Sequence, residues 1–240
     1  MKRKPNPISR SGAGFTLVEL LVVIVIIVTL AAVAFSVGPK MMKKSDAAKS
    51  VQNMHQIGSV LGVYAADHSL CFPPAEAGIT DASGTTTKGD IWHVALLKMM
   101  YPDVEDPSKF GWDTKLWDQT KPIFHNPLMT KTSKPTFAPW RPGYGINRGI
   151  IDNLDGAGSD YLTGSKTKPI ALARISEPSR TPIVAPHTDW FYTATTFAKT
   201  AGMMTFLVDG KFPVLFVDGH VETMAPQEYI DRKLSAMPKK

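Results

Sequence analysis

One ionisable side chain stands inside the longest apolar run of the sequence. The run, Phe15 to Val37, has 23 residues, and its polar members are Thr16, Glu19, Thr29 and Ser36. A carboxylate such as Glu19 in hydrocarbon costs about 2.5 to 3.5 kcal/mol on insertion scales, so such residues are usually functional and paired. Opposite charges in a low dielectric are stable only as a pair, and the run contains no basic side chain. Glu19 therefore requires a cation from elsewhere.

Two short clusters combine histidine with a carboxylate. His187-x-Asp189 and Asp218-Gly219-His220 have the residue types of a metal site or of general acid–base catalysis. The second cluster also has a structural interpretation, because Asp-Gly fits a tight hairpin turn and His220 then begins the next strand. We therefore expect structural roles. An anchored hydrolase, which needs His187 and His220 in one pocket, is an alternative.

An oxygen-rich segment, residues 152–160, is a candidate calcium loop. Its carboxylates are Asp152, Asp155 and Asp160, and oxygen ligands of this kind suit calcium. The spacing differs from that of an EF-hand, and Asp, Asn and Gly are also favoured in any exposed loop. No other cofactor is expected.

The cysteine count and the charge distribution exclude several classes of protein. A single cysteine, Cys71, excludes an intramolecular disulfide and a zinc site built mainly from thiolates, and we expect it to be buried beside Phe72. The formal net charge is +6, but four of the 27 basic side chains precede Phe15 with no acidic one. The rest has 23 basic and 21 acidic side chains, so nucleic-acid binding is not expected.

The apolar run is long enough to span a membrane. As a helix its 23 residues would measure about 35 Å, against a hydrocarbon core of about 30 Å. The basic residues before it predict a cytoplasmic N-terminus, a bias that Lys40, Lys43 and Lys44 weaken without reversing. The alternative is a secretory signal peptide, cleaved after Ala34 to leave Phe35 as the N-terminus.

The start of the run resembles a known processing site. The segment GFTLVE, residues 14–19, resembles the N-terminus of type IV pilin-like proteins and type II secretion pseudopilins, in which a basic leader ends in Gly and the mature chain begins at Phe with Glu at its fifth position. The resemblance implies that a prepilin peptidase cleaves between Gly14 and Phe15 and methylates the new amine of Phe15. It also implies that Glu19 directs assembly by pairing with the Phe15 amine of a neighbouring subunit.

The same resemblance implies a structural subunit and not an enzyme. Its partners would be the prepilin peptidase, other pilin or pseudopilin subunits, an assembly platform and an ATPase. It would be a single-pass inner-membrane protein with a periplasmic C-terminal domain. After assembly it would be part of a periplasmic or cell-surface filament. The resemblance does not distinguish a filament for protein secretion from one for adhesion or for DNA uptake. Some pseudopilins carry calcium in a loop of the C-terminal half.

A membrane-anchored, exported binding module for polysaccharide or DNA is the alternative function. It predicts exposed aromatic side chains grouped on one surface, and the candidates are Trp112, Trp117, Trp140 and Trp190.

An amphipathic stem helix is predicted after the run, with its helical stretch from Lys40 to Ala66 inside the region 38–72. Its apolar or small stripe comprises Ala47, Val51, Met54, Gly58, Leu61 and Ala65. Pro39 predicts a kink or local melting between the membrane half and the stem. Gly58 and Gly62 lie on one face, where close approach of another backbone would offset their low helix propensity. A chance occurrence of the two glycines is the alternative.

Short elements and turns are expected in the rest of the chain. A helix is predicted from Asp90, near its N-cap, to Met100. Three runs separated by Asp-Gly dipeptides, 203–208, 211–217 and 220–224, predict a three-stranded antiparallel meander. In β-register, Phe212, Val214 and Phe216 would face the stem helix, with Leu215 and Val217 opposite.

The predicted fold class is α+β. Four regions follow: a basic leader at 1–14, a transmembrane or assembly helix at 15–37, the stem helix at 38–72 and a periplasmic globular domain at 73–240. The resemblance implies a pilin-like fold, in which a long kinked N-terminal helix packs on a small C-terminal antiparallel β-sheet.

A second resemblance involves the C-terminal half. The segment FVDGHVE, residues 216–222, resembles the end of the processing-associated pilin-like family with the pattern His, nine residues, Asp-Gly; segments 143–147 and 177–181 follow the family's order. Two positions depart from it: Val208 replaces the His, and Asn126 precedes Pro127 where many relatives have Cys. Roles tied to that His or Cys are therefore not carried over.

Overall fold

A computed structural model of the chain describes residues 15–80, 86–103, 123–129, 143–148, 171–192 and 206–231. The chain divides into two compact units, Met1–Met42 and Lys43–Lys240. Several predicted features lie outside the described residues: the leader at 1–14 with Gly14, the calcium candidates Asp152, Asp155 and Asp160, and the tryptophans Trp112, Trp117 and Trp140.

The first element, α1, is one helix from Leu17 to Asp67. It continues through Pro39, so local melting at this proline is not observed, and the kink stays a prediction. The helix ends one residue after Ala66, the predicted last residue of the helical stretch. Ser69 and Leu70 both have positive φ angles, 55° and 57°, and the Leu70 N–H donates to the Ala65 carbonyl at 2.8 Å. This turn satisfies a carbonyl of the last helical turn.

The remaining elements are short. They are β1 (Glu76–Thr80), β2 (Thr86–Ile91), α2 (Trp92–Met100), β3 (Tyr144–Asn147), β4 (Pro182–Pro186), β5 (Phe191–Tyr192), β6 (Phe212–Phe216), β7 (Val221–Met224) and α3 (Pro226–Asp231), with 3-10 helices at Leu172–Arg174 and Pro178–Arg180. The cap expected at Asp90 is wrong: Asp90 lies in β2, and the residue before α2 is Ile91, which makes no side-chain cap hydrogen bond.

The strands form two sheets. β1 and β2 make an antiparallel pair, and the larger sheet has the order β5-β3-β4-β6-β7. Its neighbours are antiparallel except β3 and β5, which are parallel. The α+β class and the pilin-like layout of a long N-terminal helix followed by a small sheet are confirmed. The sheet is mixed, however, and not purely antiparallel as predicted.

The predicted three-stranded meander is wrong. β6 and β7 do form a hairpin across Asp218-Gly219, where Gly219 has a φ of 91°. In the described part of the first predicted strand, residues 206–208, Val208 makes a single bridge to Lys211. The other edge of β6 pairs with β4. Turn dipeptides identify chain reversals, but they contain no information about a distant strand that competes for the same edge.

The stem half of α1 packs on the core through one face. Its buried residues are Ser50, Met54, Ile57, Leu61 and Ala65, and the apolar ones belong to the main cluster, which also contains residues of α2, β3, β4 and β6. The predicted stripe is confirmed at Met54, Leu61 and Ala65. Ala47, Val51 and Gly58 are only partly buried, and Ser50 and Ile57 were missed.

The predicted orientation of β6 is reversed. Leu215 joins the cluster that contains the stem residues, whereas Phe212, Val214 and Phe216 pack with Tyr192 and Tyr229 in a second cluster. All five residues of β6 are buried. A strand that is apolar on both faces has no alternation to indicate which face meets the helix.

Gly58 has close neighbours, but the nearest is a side chain and not the predicted backbone. A Cβ on Gly58 would lie 3.0 Å from Leu215 Cδ1 and 3.7 Å from the Gly219 carbonyl oxygen. Among the described residues, a Cβ on Gly62 would meet nothing within 4 Å, which favours the alternative of a chance occurrence at this position.

Candidate processing and assembly site

Glu19 lies in the first turn of α1 and is hydrogen-bonded to Thr16. The Thr16 N–H and hydroxyl both donate to Glu19 Oε2, at 2.9 and 2.8 Å. In return, the Glu19 N–H donates to Thr16 Oγ1 at 3.2 Å. This reciprocal pattern is a capping box. A lone chain thus satisfies the Glu19 carboxylate with neutral donors at the positive end of the helix dipole.

Phe15, the predicted first residue of the mature chain, precedes the helix and has 80% of its surface exposed. Between Phe15 and Lys40 the sequence has no Lys or Arg. The capping box therefore leaves the full negative charge of Glu19 without a cation from the span itself.

The other polar side chains of the run bond to the backbone of their own helix. The Thr29 hydroxyl donates to the Ile26 carbonyl at 2.9 Å, and the Ser36 hydroxyl donates to the Val33 carbonyl at 2.9 Å. Such internal bonding is what a lipid environment requires of polar groups. Neither residue calls for a partner outside the helix.

The apolar side chains of the run are exposed. Among the described helices, α1 is the one long and apolar enough to cross a membrane, and no part of that apolar window is buried within the chain. Burying one Val, Leu or Ile side chain is worth about 1.5 to 3 kcal/mol. So large an unburied surface requires lipid or other helices around it, consistent with a single-pass membrane anchor.

His187 is buried in the turn between β4 and β5. The Asp189 N–H donates to His187 Nδ1 at 3.0 Å, and the Trp190 N–H donates to Asp189 Oδ1 at 2.9 Å. Burial lowers the pKa of His187, and Asp189 opposes this shift. With 5% of its surface exposed, His187 holds the turn together.

His220 is bonded within the hairpin turn before β7. Its Nδ1 lies 2.5 Å from Asp218 Oδ1, and its ring stacks on Phe216 with centroids 4.3 Å apart. Phe216 pairs with Pro182 at the start of β4, whereas His187 follows the end of β4. Five strand residues separate these positions by roughly 17 Å.

The structure thus does not form the single pocket that the hydrolase alternative needs. Within the described ranges, no group of three or more His, Cys, Asp and Glu side chains is arranged to hold a metal ion.

Trp190 is the described member of the tryptophan set. It is partly buried and packs against the main core cluster. Its carbonyl accepts a hydrogen bond from Trp92 Nε1 at 2.7 Å, and its ring lies 4.5 Å from that of Phe191. These contacts give Trp190 a structural role at the turn before β5.

Asn126, one of the two departures from the second family pattern, is fully buried and bonded at both ends of its amide. Nδ2 donates to the Gly143 carbonyl at 3.1 Å, and Oδ1 accepts from the Leu128 N–H at 3.0 Å. Gly143 has a φ of 83°, and a Cβ there would lie 2.6 Å from Asn126 Cβ. Cys71, which was expected to be buried beside Phe72, is only partly buried, whereas Phe72 is buried.

One comparison with known proteins gives a match. Residues 9–35 match the model of the prokaryotic N-terminal methylation motif. No curated protein and no solved structure matches the chain. The matched segment contains the predicted cleavage position, Glu19 and most of the apolar run. It supports a type IV pilin-like N-terminus, indicates a prepilin-peptidase substrate, and points to a structural subunit.

Proposed function

We propose that the chain is a pilin-like or pseudopilin subunit, cleaved between Gly14 and Phe15, methylated on Phe15, and assembled into a type II secretion or type IV pilus-like filament. One observation carries the proposal. An exposed apolar helix begins at Leu17, and its first turn holds Glu19 inside the matched methylation motif. A signal peptide that is discarded has no use for a carboxylate within its apolar run.

Glu19 directs assembly in this proposal by exchanging partners. In the lone subunit, Thr16 supplies two neutral donors to the carboxylate. In the filament, the charged amine of Phe15 from a neighbouring subunit supplies the missing cation. A charge pair in a low dielectric is favourable only when both partners are present. The contact therefore stabilises the filament only when neighbouring helices have the correct axial register.

The proposed topology follows from charge and hydropathy. The four basic residues before Phe15 keep the N-terminus cytoplasmic, and α1 crosses the inner membrane once. The globular domain is then periplasmic until the assembly platform and its ATPase move the subunit into a periplasmic or cell-surface filament. The partners are the prepilin peptidase and other pilin or pseudopilin subunits.

Mass analysis of the mature N-terminus tests the processing step. We expect a chain that begins at N-methylated Phe15, and Gly14→Val should leave the leader attached. Glu19→Ala should be processed normally but fail to enter filaments. Thr29→Ala, which removes another polar group of the span, is the matched control and should assemble. A mature chain that begins at Phe35 would refute the proposal in favour of a secretory signal peptide.

Calcium binding by Asp152, Asp155 and Asp160 is a separate proposal with its own test. If the loop binds calcium, the melting temperature rises in millimolar calcium and Asp155→Ala abolishes the rise. An unchanged melting temperature in the unmodified protein ends the idea.

A further inference from the structure

A basic surface patch lies at the start of the second compact unit, Lys43–Lys240, which we call the globular unit. Lys44 Nζ is 3.2 Å from Asp209 Oδ2, which brings the turn between Val208 and Lys211 against this part of α1. Lys43, which precedes Lys44, and Lys211, two residues after Asp209, are both exposed. We call Lys43, Lys44 and Lys211 the lysine patch.

The lysine patch is tethered close to the end of the apolar run. Lys43 is the sixth residue after Val37, and an extended chain covers at most about 3.6 Å per residue, so Lys43 stays within about 22 Å of Val37 in any conformation. Along a helix the distance is about 9 Å. The polar layer on each side of a bilayer is about 5 to 7 Å thick, and a lysine side chain extends the reach of its charge.

Positive charge is concentrated in this segment. Residues 38–51 contain Lys40, Lys43, Lys44 and Lys49 against the single acid Asp46. The whole chain after residue 14 has 23 basic and 21 acidic side chains, so the excess at this segment is larger than that of the entire processed chain. Positive charge held beside a bilayer attracts anionic headgroups.

The ion pair between Lys44 and Asp209 can exchange one partner for another at little cost in free energy. The side chains of Lys44 and Asp209 are 65% and 72% exposed, and exposed pairs contribute little to stability. A lipid phosphate can therefore replace Asp209 as the partner of Lys44 with little loss of stability.

We propose that the lysine patch binds the headgroups of anionic phospholipids, and that Asp209 competes with them for Lys44. The inference rests on the proposed function only in requiring that the apolar run be inserted in a membrane. The patch holds the globular unit against the bilayer until the subunit leaves it. Asp209 limits the strength of this attachment.

Lipid retention by the full-length protein tests the proposal. The chain is reconstituted in nanodiscs with equal amounts of phosphatidylglycerol and phosphatidylcholine, and native mass spectrometry counts the lipids that it retains. We expect phosphatidylglycerol to be enriched, with the enrichment falling about fivefold for each patch lysine replaced by glutamine. Asp209→Asn should raise the enrichment, and high salt should lower it.

Arg174→Gln is the matched control. Arg174 is exposed in the 3-10 helix Leu172–Arg174, and the Leu172 N–H donates to the Leu70 carbonyl at 2.8 Å beyond the far end of α1. This variant should retain phosphatidylglycerol as the unmodified chain does. An equal loss in Arg174→Gln, or no loss when Lys43, Lys44 and Lys211 are all replaced, overturns the proposal.

Two further measurements separate the possible failures. Alkaline carbonate extraction reports membrane insertion independently of headgroup binding, so release of the unmodified chain would refute the proposed function instead. If the triple variant loses affinity for a short DNA duplex but keeps its phosphatidylglycerol, the patch binds nucleic acid and the lipid proposal is wrong.

Discussion

At the scale of single residues, two glycines of α1 have identical propensity and different surroundings. A Cβ added to Gly58 would lie 3.0 Å from Leu215 Cδ1, whereas a Cβ added to Gly62 would meet none of the described residues within 4 Å. The sequence identified both as candidates for close packing because they lie four positions apart. It could not separate them, since the neighbour that distinguishes them is 157 residues away in the chain.

Gly62→Ala should stabilise the protein by about 0.5 to 1 kcal/mol, because it adds helix propensity without a clash. Gly58→Ala should gain less, since Leu215 must move by a few tenths of an ångström to admit the methyl group. Gly58→Val should destabilise the protein. Urea unfolding of the full chain in detergent measures all three, and equal effects of alanine at both positions would contradict the close contact.

The buried His187 gives stability a pH dependence of defined sign. Because burial lowers the pKa of the folded form below the ordinary 6.5, the unfolded chain binds a proton first as pH falls. Above about pH 6.5 both forms are neutral and the free energy of unfolding is unaffected; below it, stability falls by at most about 1.4 kcal/mol per pH unit. The loss levels off once the pH passes below the folded pKa.

Unfolding measured from about pH 7.5 to about pH 5 tests this effect, and the His187→Gln variant should have a shallower slope in the acid range. A variant slope as steep as that of the unmodified protein would assign the acid sensitivity to other groups.

At the scale of elements, the stem and the sheet are joined by a polar contact inside an apolar interface. Ser50 Oγ and the Tyr144 hydroxyl are 3.0 Å apart, and both residues are buried. Burial raises the pKa of Tyr144 and keeps its hydroxyl protonated. The apolar periodicity of the stem predicted Met54, Leu61 and Ala65, but a serine is not recognised as a core residue until its partner on β3 is known.

A double-mutant cycle of Ser50→Ala and Tyr144→Phe should detect this contact. Ser50→Ala leaves the Tyr144 hydroxyl with the Ser50 carbonyl at 3.4 Å, and Tyr144→Phe removes the partner of the Ser50 hydroxyl, so each change should cost about 0.5 to 2 kcal/mol. The double variant should cost less than the two costs combined, with a coupling of about 0.5 to 1.5 kcal/mol. Additive effects in urea unfolding would show that the hydroxyls do not interact.

At the scale of the whole molecule, the two units depend on different surroundings. In the described part of α1, the buried residues begin at Ser50, and every side chain of the main core cluster belongs to the second unit. The first unit contributes exposed apolar surface instead. The second unit should therefore not need the span in order to fold.

A fragment that begins at Lys43 should accordingly be monomeric in water and melt within a few degrees of the full chain in detergent. Circular dichroism and analytical ultracentrifugation measure this. A fragment that aggregates or lacks a cooperative transition would show that the span contributes to the fold of the globular unit.

What the sequence predicted well was local. The methylation motif, the apolar run, the helical periodicity of the stem and the Asp-Gly turns all depend on residues within a few positions of one another. Strand pairing was the weak part: Phe216 pairs with Pro182, and no periodicity connects two strands whose residues are apolar on both faces. The amide of Asn126 likewise finds its hydrogen-bond partner, the Gly143 carbonyl, only in the folded structure.

The close contact between Gly58 and Leu215 also has a mechanical consequence. Leu215 occupies the gap left by the missing side chain, and the Gly219 carbonyl lies beside it. Moving α1 by one residue, about 1.5 Å, would drive its backbone into that side chain. A pulling force applied along the helix axis is therefore resisted by a steric contact with Leu215 as well as by the apolar packing of the stem. Part of this load is transferred through Leu215 to β6, the strand next to the edge strand β7.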